Sequence, residues 1–331
     1  FISGFFYSFL GYIFLREILL RYFSEIATAL TLLCISLGTN LFYYSTTEGP
    51  MSHAVLFCLF TLFLYFTIRW YEKPTYSSIF FLFLVGGLAI LIRPISIMLA
   101  LIFLLYSTEK KNTFGKKINF WLQYYKHFLL GILILFLVAL PQLIYWKMQS
   151  GHWVYYSYGN ERFFFNDPKI LQGLFSFRKG WLVYTPIMIL SLAGFYALYK
   201  RAPKLFFPLL IYVILHIYVI FCWWCWWYGG SFGMRAMIEV YAFLALPMAA
   251  LWQYLWQKQK LVFSAVILFS AGCIYLNQRQ TLQYRQTIIH WDSMSKSYYF
   301  AVFNDFTWPT GEKTKLLSPP DYEAAKAGKR D

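Results

Sequence analysis

The chain has 331 residues, 60% hydrophobic, 23% aromatic and 13% charged, with a mean hydropathy of +0.51. A soluble protein of this length needs a far more charged surface than this composition supplies, which excludes a water-soluble globule. The net charge of +15 is scattered over short loops and the tail and forms no continuous stripe. That excludes nucleic acid as a partner and points to membrane topology and affinity for anionic lipid.

A window of about twenty residues per helix places apolar spans near 1–15, 25–44, 52–70, 76–92, 95–108, 127–147, 181–199, 205–223, 238–256 and 261–277. Their connections alternate between two kinds. One is short and basic: Arg16 to Arg21, Arg69 to Lys73, Lys110 to Lys126, Lys200 to Lys204 and Lys258 to Lys260. The other is aromatic and Gly-containing: Tyr43 to Met51, Ile92 to Ile95, Lys147 to Gly180 and Trp223 to Glu239. Short loops rich in Lys and Arg stay cytoplasmic, so the aromatic loops face outward and hold the chemistry. The span 95–108 is short, and Pro94 could instead kink one long helix through 76–108. That alternative would put Lys110, Lys111, Lys116 and Lys117 outside, so a tight outer hairpin is predicted.

The fold class expected is therefore all-α: a polytopic transmembrane helix bundle of about 10 spans over residues 1–277. Outer loop 148–180 carries Tyr155-Tyr156-Ser157-Tyr158 and Phe163-Phe164-Phe165, which suit short interfacial helices. After Asn277 the composition turns polar, and 278–331 reads as a small C-terminal extracytoplasmic extension. Phe1 is not Met and lies inside an apolar run, so at least one further helix is expected ahead of it. The five cysteines read as small packing residues; the Cys222–Cys225 pair lacks the further ligands of a zinc site.

Three outer segments can carry chemistry. In Thr46 to His53, a carboxylate, Glu48, and an imidazole, His53, flank a Gly-Pro turn. Glu48 suits a general base and His53 an orienting or phosphate-contacting group, against the plainer reading of a solvated turn. Arg93, before Pro94, either snorkels to headgroups or clamps an anion. The strongest signal is Cys222 to Arg235. Trp223, Trp224, Trp226, Trp227 and Tyr228 offer faces on which sugar rings stack. Gly229 and Gly230 let backbone N–H groups approach an anion, and Arg235 completes a phosphate site. An interfacial aromatic belt explains the tryptophans but not the glycines and arginine together. Glu161, Arg162, Asp167, Arg178 and Lys179 read equally as site or as solvated surface, and His290-Trp291-Asp292 suggests no triad.

The outer hairpins, the Arg-Pro after a Gly-rich helix and the Trp-rich Gly-Gly-x-Phe-Gly-x-Arg loop resemble integral-membrane glycosyltransferases of the GT-C class. Within that class they look like bacterial relatives of protein O-mannosyltransferases and aminoarabinose transferases. Asn40 to Tyr44 through His53, Phe175 to Pro186 and His290 to Lys296 resemble Bacteroidetes-type members. The resemblance implies inverting transfer of a sugar from a polyprenyl-phosphate donor to a lipid, glycan or protein acceptor. The partners implied are that donor and membrane lipids, at the periplasmic face of the bacterial inner membrane. It also implies a principal catalytic Asp upstream of Phe1, so this chain alone is not expected to be active. No nucleotide cofactor is expected, and a divalent metal is left open. The competing classes are a transporter or flippase of lipid-linked sugars, an O-antigen-type polymerase or ligase, and a non-catalytic membrane subunit. The paired broken helices and internal symmetry of transporters are not evident in the sequence.

Overall fold

A computed structural model describes residues 2–106 and 114–330. Lys110 and Lys111, part of one expected inner loop, lie outside the described residues, as does Phe1. The chain is all helical among the described residues, with a single isolated bridge pairing Phe163 and Trp223. In chain order the helices are α1 (Ile2–Leu20), α2 (Glu25–Gly38), α3 (Leu41–Thr46), α4 (His53–Glu72) and α5 (Tyr76–Ile92). A 3-10 turn (Pro94–Met98) leads into α6 (Leu99–Leu105), α7 (Phe114–Gln123), α8 (Tyr125–Ser150), α9 (Ile170–Phe175) and α10 (Trp181–Tyr184). There follow α11 (Met188–Arg201), α12 (Pro203–Cys222), α13 (Tyr241–Lys258), α14 (Lys260–Arg285), α15 (Lys296–Val302), α16 (Gly311–Thr314) and α17 (Tyr322–Lys326).

Each of the ten expected stretches contains helix among the described residues, but five helices are long and apolar enough to cross a membrane by themselves: α1, α4, α8, α12 and α14. The others are cut short for identifiable reasons. The stretch 25–44 breaks at Thr39, whose backbone is extended and whose hydroxyl turns back to the Ile35 carbonyl at 2.7 Å. The stretch 181–199 breaks at Thr185-Pro186, because proline lacks the N–H and disfavours helix at the residue before it. In the stretch 238–256, α13 is enclosed by protein along most of its length and ends in Gln257-Lys258. A helix apolar all round is a core helix. The sequence boundary at 277 falls inside α14, which continues to Arg285.

The core forms where α11 packs on α13, α1 on α4, and α5 on both α4 and α8. Gly194 of α11 lies so close to the Pro247 carbonyl that a Cβ there would sit 1.9 Å from its oxygen. Only glycine permits that approach. By contrast, α8 and α14 leave most of their apolar surface exposed, with Leu129, Ile132, Leu133 and Leu268 among the exposed side chains. That surface is compatible with membrane embedding.

The two kinds of loop gather at opposite ends of the bundle. At one end Arg21 pairs with Glu72 at 2.7 Å, Arg201 donates to the Tyr22 carbonyl at 3.2 Å, and Ser24 N–H donates to Gln253 at 2.8 Å. At the other lie His53, Arg93, and the loop between α12 and α13. The chain does reverse at Arg93: Tyr71, at the basic end of α4, donates its hydroxyl to the Phe103 carbonyl of α6 at 2.9 Å.

Candidate functional site

The site is built on the irregular loop from Trp223 to Val240, which joins α12 to α13. Two side chains hold its centre. Asn40 donates to the Phe232 carbonyl at 3.1 Å, and Phe232 N–H donates to the Tyr44 hydroxyl at 2.9 Å. Asn40 in turn accepts from Tyr241 at 2.8 Å, and Tyr241 accepts from the Trp181 indole at 3.2 Å. Gly233 takes φ +58°, a conformation with little penalty only for glycine, beneath the Tyr184 ring. Tyr228 adopts φ +58° without that freedom, so the loop is strained at a residue of the candidate site.

His53 and Arg93 come together at their shared end of the bundle, and their partner is Glu239, which the sequence reading named only as a loop boundary. Arg93 donates to Glu239 at 2.9 Å and to His53 Nε2 at 3.3 Å. Since the guanidinium only donates, His53 Nε2 accepts, and its Nδ1 carries the proton that faces Glu239 at 3.5 Å. His53 and Arg93, expected to meet a donor phosphate, thus meet a protein carboxylate here. Both are engaged by a buried carboxylate, which would otherwise be an uncompensated charge.

Glu48 stands apart from that pair. It is half-buried, and its Oε2 has no hydrogen-bond partner among the described residues. Burial raises its pKa, opposed by the positive charges of Arg235 and Lys179. Arg235 is half-buried; one terminal nitrogen reaches the Met51 sulfur at 3.5 Å, and its Nε has no partner among the described residues. Lys179 is almost fully buried and donates to the carbonyls of Ser231 and Trp291. Burial lowers its pKa to about 7, against the pull of Asp292 and with the repulsion of Arg235 and Arg178.

The C-terminal segment folds back onto this loop. Ser231 N–H donates to the Trp291 carbonyl at 3.2 Å, and Arg178 donates to the Asp292 carbonyl at 3.0 Å. Asp292 accepts from Tyr322 at 2.9 Å and from Ser293 at 2.6 Å. His290 Nδ1 lies 3.3 and 3.1 Å from the backbone N–H groups of Asp292 and Ser293, so this ring organises a turn. Arg330 donates to the carbonyls of Phe221, Cys222 and Trp223 at 3.0–3.3 Å, closing the C-terminus of α12.

These contacts revise two expectations. Trp224, Trp226 and Trp227 are buried and form no open stacking platform; Tyr322 packs edge-on against Trp224 and Trp227. Trp223 and Tyr228 stay partly accessible, and Gly230 is exposed beneath the Trp291 ring. The N–H groups of Ser231 and Phe232, which follow Gly229 and Gly230, are already bonded within the protein. The segments 155–158 and 163–165 are also not helical. Phe164 N–H donates to Cys222 O and Trp224 N–H to Arg162 O, which satisfies the backbone by extended pairing instead.

Glu239 was within reach of sequence reasoning. It is the only acidic residue between Asp167 and Asp292 and sits in an apolar run, where an ionisable group has a purpose by default. Arg330 gave no such signal in its polar surroundings. No group of three or more His, Cys, Asp or Glu residues able to hold a metal gathers among the described residues. Neither family models, nor characterised proteins, nor solved structures match this chain.

Proposed function

We propose that this chain is the membrane-embedded part of a glycosyltransferase. On this reading a helical bundle of about ten membrane passes of the GT-C kind, several completed by paired short helices, positions a site at the outer face of the bacterial inner membrane. The site moves a sugar from a polyprenyl-phosphate donor to a lipid, glycan or protein acceptor.

One observation carries the reading: a half-buried carboxylate with an unpartnered oxygen, Glu48, lies within electrostatic reach of Arg235 and Lys179. Transfer needs these two parts. A carboxylate takes the acceptor hydroxyl proton as that oxygen bonds to the anomeric carbon, while the bond from that carbon to the donor phosphate oxygen breaks. The departing polyprenyl phosphate keeps the electron pair, and fixed cations stabilise it. Burial favours a protonated Glu48, which makes it a stronger base once ionised. On this reading Glu48 acts as an assisting carboxylate. The fold analogy adds an associational warrant only.

Donor binding and turnover of the full-length protein in membranes test the reading. Arg235→Ala should weaken binding of the polyprenyl-phosphate donor by about 1.5–3 kcal/mol, the scale of a hydrogen bond to a charged group. Arg235→Lys should restore part of it, because a point charge does not reproduce the planar fork. Glu48→Gln should lower turnover while leaving donor affinity intact. Unchanged affinity in both Arg235 variants sinks the phosphate site. Transport of donor lipid with no transfer product would favour a flippase.

A further inference from the structure

We infer that residues 300–308 of the C-terminal segment lie in the membrane interface at the end of the bundle that holds the candidate site, and so set that site level with the lipid head groups. The inference rests on membrane embedding and not on transfer chemistry.

The helix α14 marks both faces of the bilayer. Leu261, Val262, Leu268, Phe269 and Tyr275 are exposed along it, and no Asp, Glu, Lys or Arg stands between Lys260 and Arg279. At the helical rise those two charges are about 29 Å apart, against about 30 Å for a hydrocarbon core. Each has aromatic company. The Lys260 ammonium lies 3.6 Å over the Trp256 ring, and Arg279 donates to the Tyr275 hydroxyl at 3.0 Å. Asn277 and Gln278, just short of Arg279, turn inward to the carbonyls of Leu37 and Thr39. A cation with Trp or Tyr at each end of an apolar stripe is the arrangement of interfacial anchors.

The C-terminal segment returns to this boundary. The Arg279 guanidinium lies 4.5 Å over the Phe306 ring. Gln283 donates to the carbonyls of Val302 and Asp305 at 2.7 and 2.8 Å, and Gln280 to the Tyr299 hydroxyl at 2.7 Å. So held, Tyr298, Tyr299 and Val302 are buried, whereas Phe300, Phe303, Phe306 and Trp308 are exposed, Trp308 by 71%. So many large aromatic side chains turned outward together mark an interaction surface.

Its position identifies the bilayer as what covers it. The patch begins at Arg279 and Tyr275, where the apolar stripe of α14 ends, so lipid along the stripe reaches it directly. Its carboxylate, Asp305, is paired with Lys313 and bonded to Thr307, which leaves no bare negative charge among the rings. A protein partner would impose no match between this patch and a spacing of one hydrocarbon thickness along α14.

The depth of the candidate site follows. Tyr284 stands five residues beyond Arg279 on α14, about 7.5 Å further out. A head-group layer is about 5–7.5 Å thick. Phe232, at the centre of the candidate loop, and Tyr43 both pack on Tyr284, with ring centroids 5.3 and 5.0 Å away. A lipid phosphate can therefore meet this loop while its acyl chains stay in the bilayer.

Fluorescence of the full-length protein in phosphatidylcholine vesicles tests this. An environment-sensitive thiol dye is placed by Phe303→Cys, by Trp308→Cys and, as a water-facing control, by Glu323→Cys. The five native cysteines are buried, and the Glu323 side chain is 84% exposed. Dye at the first two positions should emit further to the blue than at the control. It should also be quenched more by lipid spin-labelled near the head group than by lipid spin-labelled at the chain end. Neither lipid should quench the control. The two positions are independent, so if one variant fails to fold the other decides. Absence of lipid quenching, or stronger quenching from the chain end, would overturn the inference. So would dye shielded from both spin-labelled lipid and aqueous iodide, the sign of a protein over the patch. Donor binding by the Arg235 variants is read separately and does not bear on this result.

Discussion

The two ends of this bundle handle charge in opposite ways. At the basic end the ion pair Arg21–Glu72 lies on the surface, with side chains 26% and 52% exposed. At the aromatic end Glu239, His53 and Lys179 are almost completely buried. A surface charge has little effect on stability and can report topology; a buried one must have partners or a function. The same residue types therefore answer different questions at the two ends.

The largest effect is all-or-none. If the ends face opposite sides of a membrane, Ser157→Cys should react with an impermeant thiol reagent on intact cells, and Asn119→Cys only after permeabilisation. Both positions are exposed, and all five native cysteines are buried, so the background should be low. Labelling of both from one side would break the comparison and with it the outer site.

Next in size is the buried pair. Glu239→Gln leaves Arg93 and His53 without their counter-charge, and the loss should be about 3 kcal/mol, the low end for a broken buried pair because Arg93 is partly exposed. Adding Arg93→Met should recover much of that, since an apolar replacement of both partners is often neutral. Unfolding midpoints in detergent measure the series. If the double variant is no more stable than Glu239→Gln alone, the pair is not what holds α4, α5 and α13 together at this end.

What the sequence made legible follows the same division. Alternation of loop type located both ends, because charge and aromaticity are read one residue at a time. Helix positions were legible for the same reason, down to α5, whose limits were anticipated as 76–92. Partners were not. That Arg93 meets Glu239, 146 positions away, depends on where the end of α5 meets the loop before α13, and spacing along the chain carries no trace of it. The tryptophans misled because composition does not distinguish a ring that faces a ligand from one covered by residues 290–330. Tyr322 and Arg330, which fold the tail over them, lie about a hundred residues further on.

A subtler difference lies in pH. The ammonium of Lys179 has its pKa lowered to about 7, whereas an unfolded lysine titrates near 10.4. Between those values the unfolded chain holds more protons, so this residue makes stability rise with pH from about 7 to about 10. Lys179→Gln should remove that rise. The difference in melting temperature between the two proteins, followed from pH 7 to 9, isolates it from the tyrosines. A constant difference would mean that the ammonium is compensated in place and is no charge waiting for an anion.

The smallest effect belongs to the basic end and serves as the control for the rest. Arg21→Ala removes the surface pair with Glu72 and a guanidinium 5.5 Å over the Tyr65 ring. An exposed pair contributes about 0–1 kcal/mol, weakened further by salt. Arg201, which reaches across to the Tyr22 carbonyl, continues to tie α11 to the turn after α1. The melting temperature should therefore barely move, and what change there is should shrink in high salt. A loss as large as that of Glu239→Gln would mean that Arg21 is a structural clasp, and that burial does not separate the two ends.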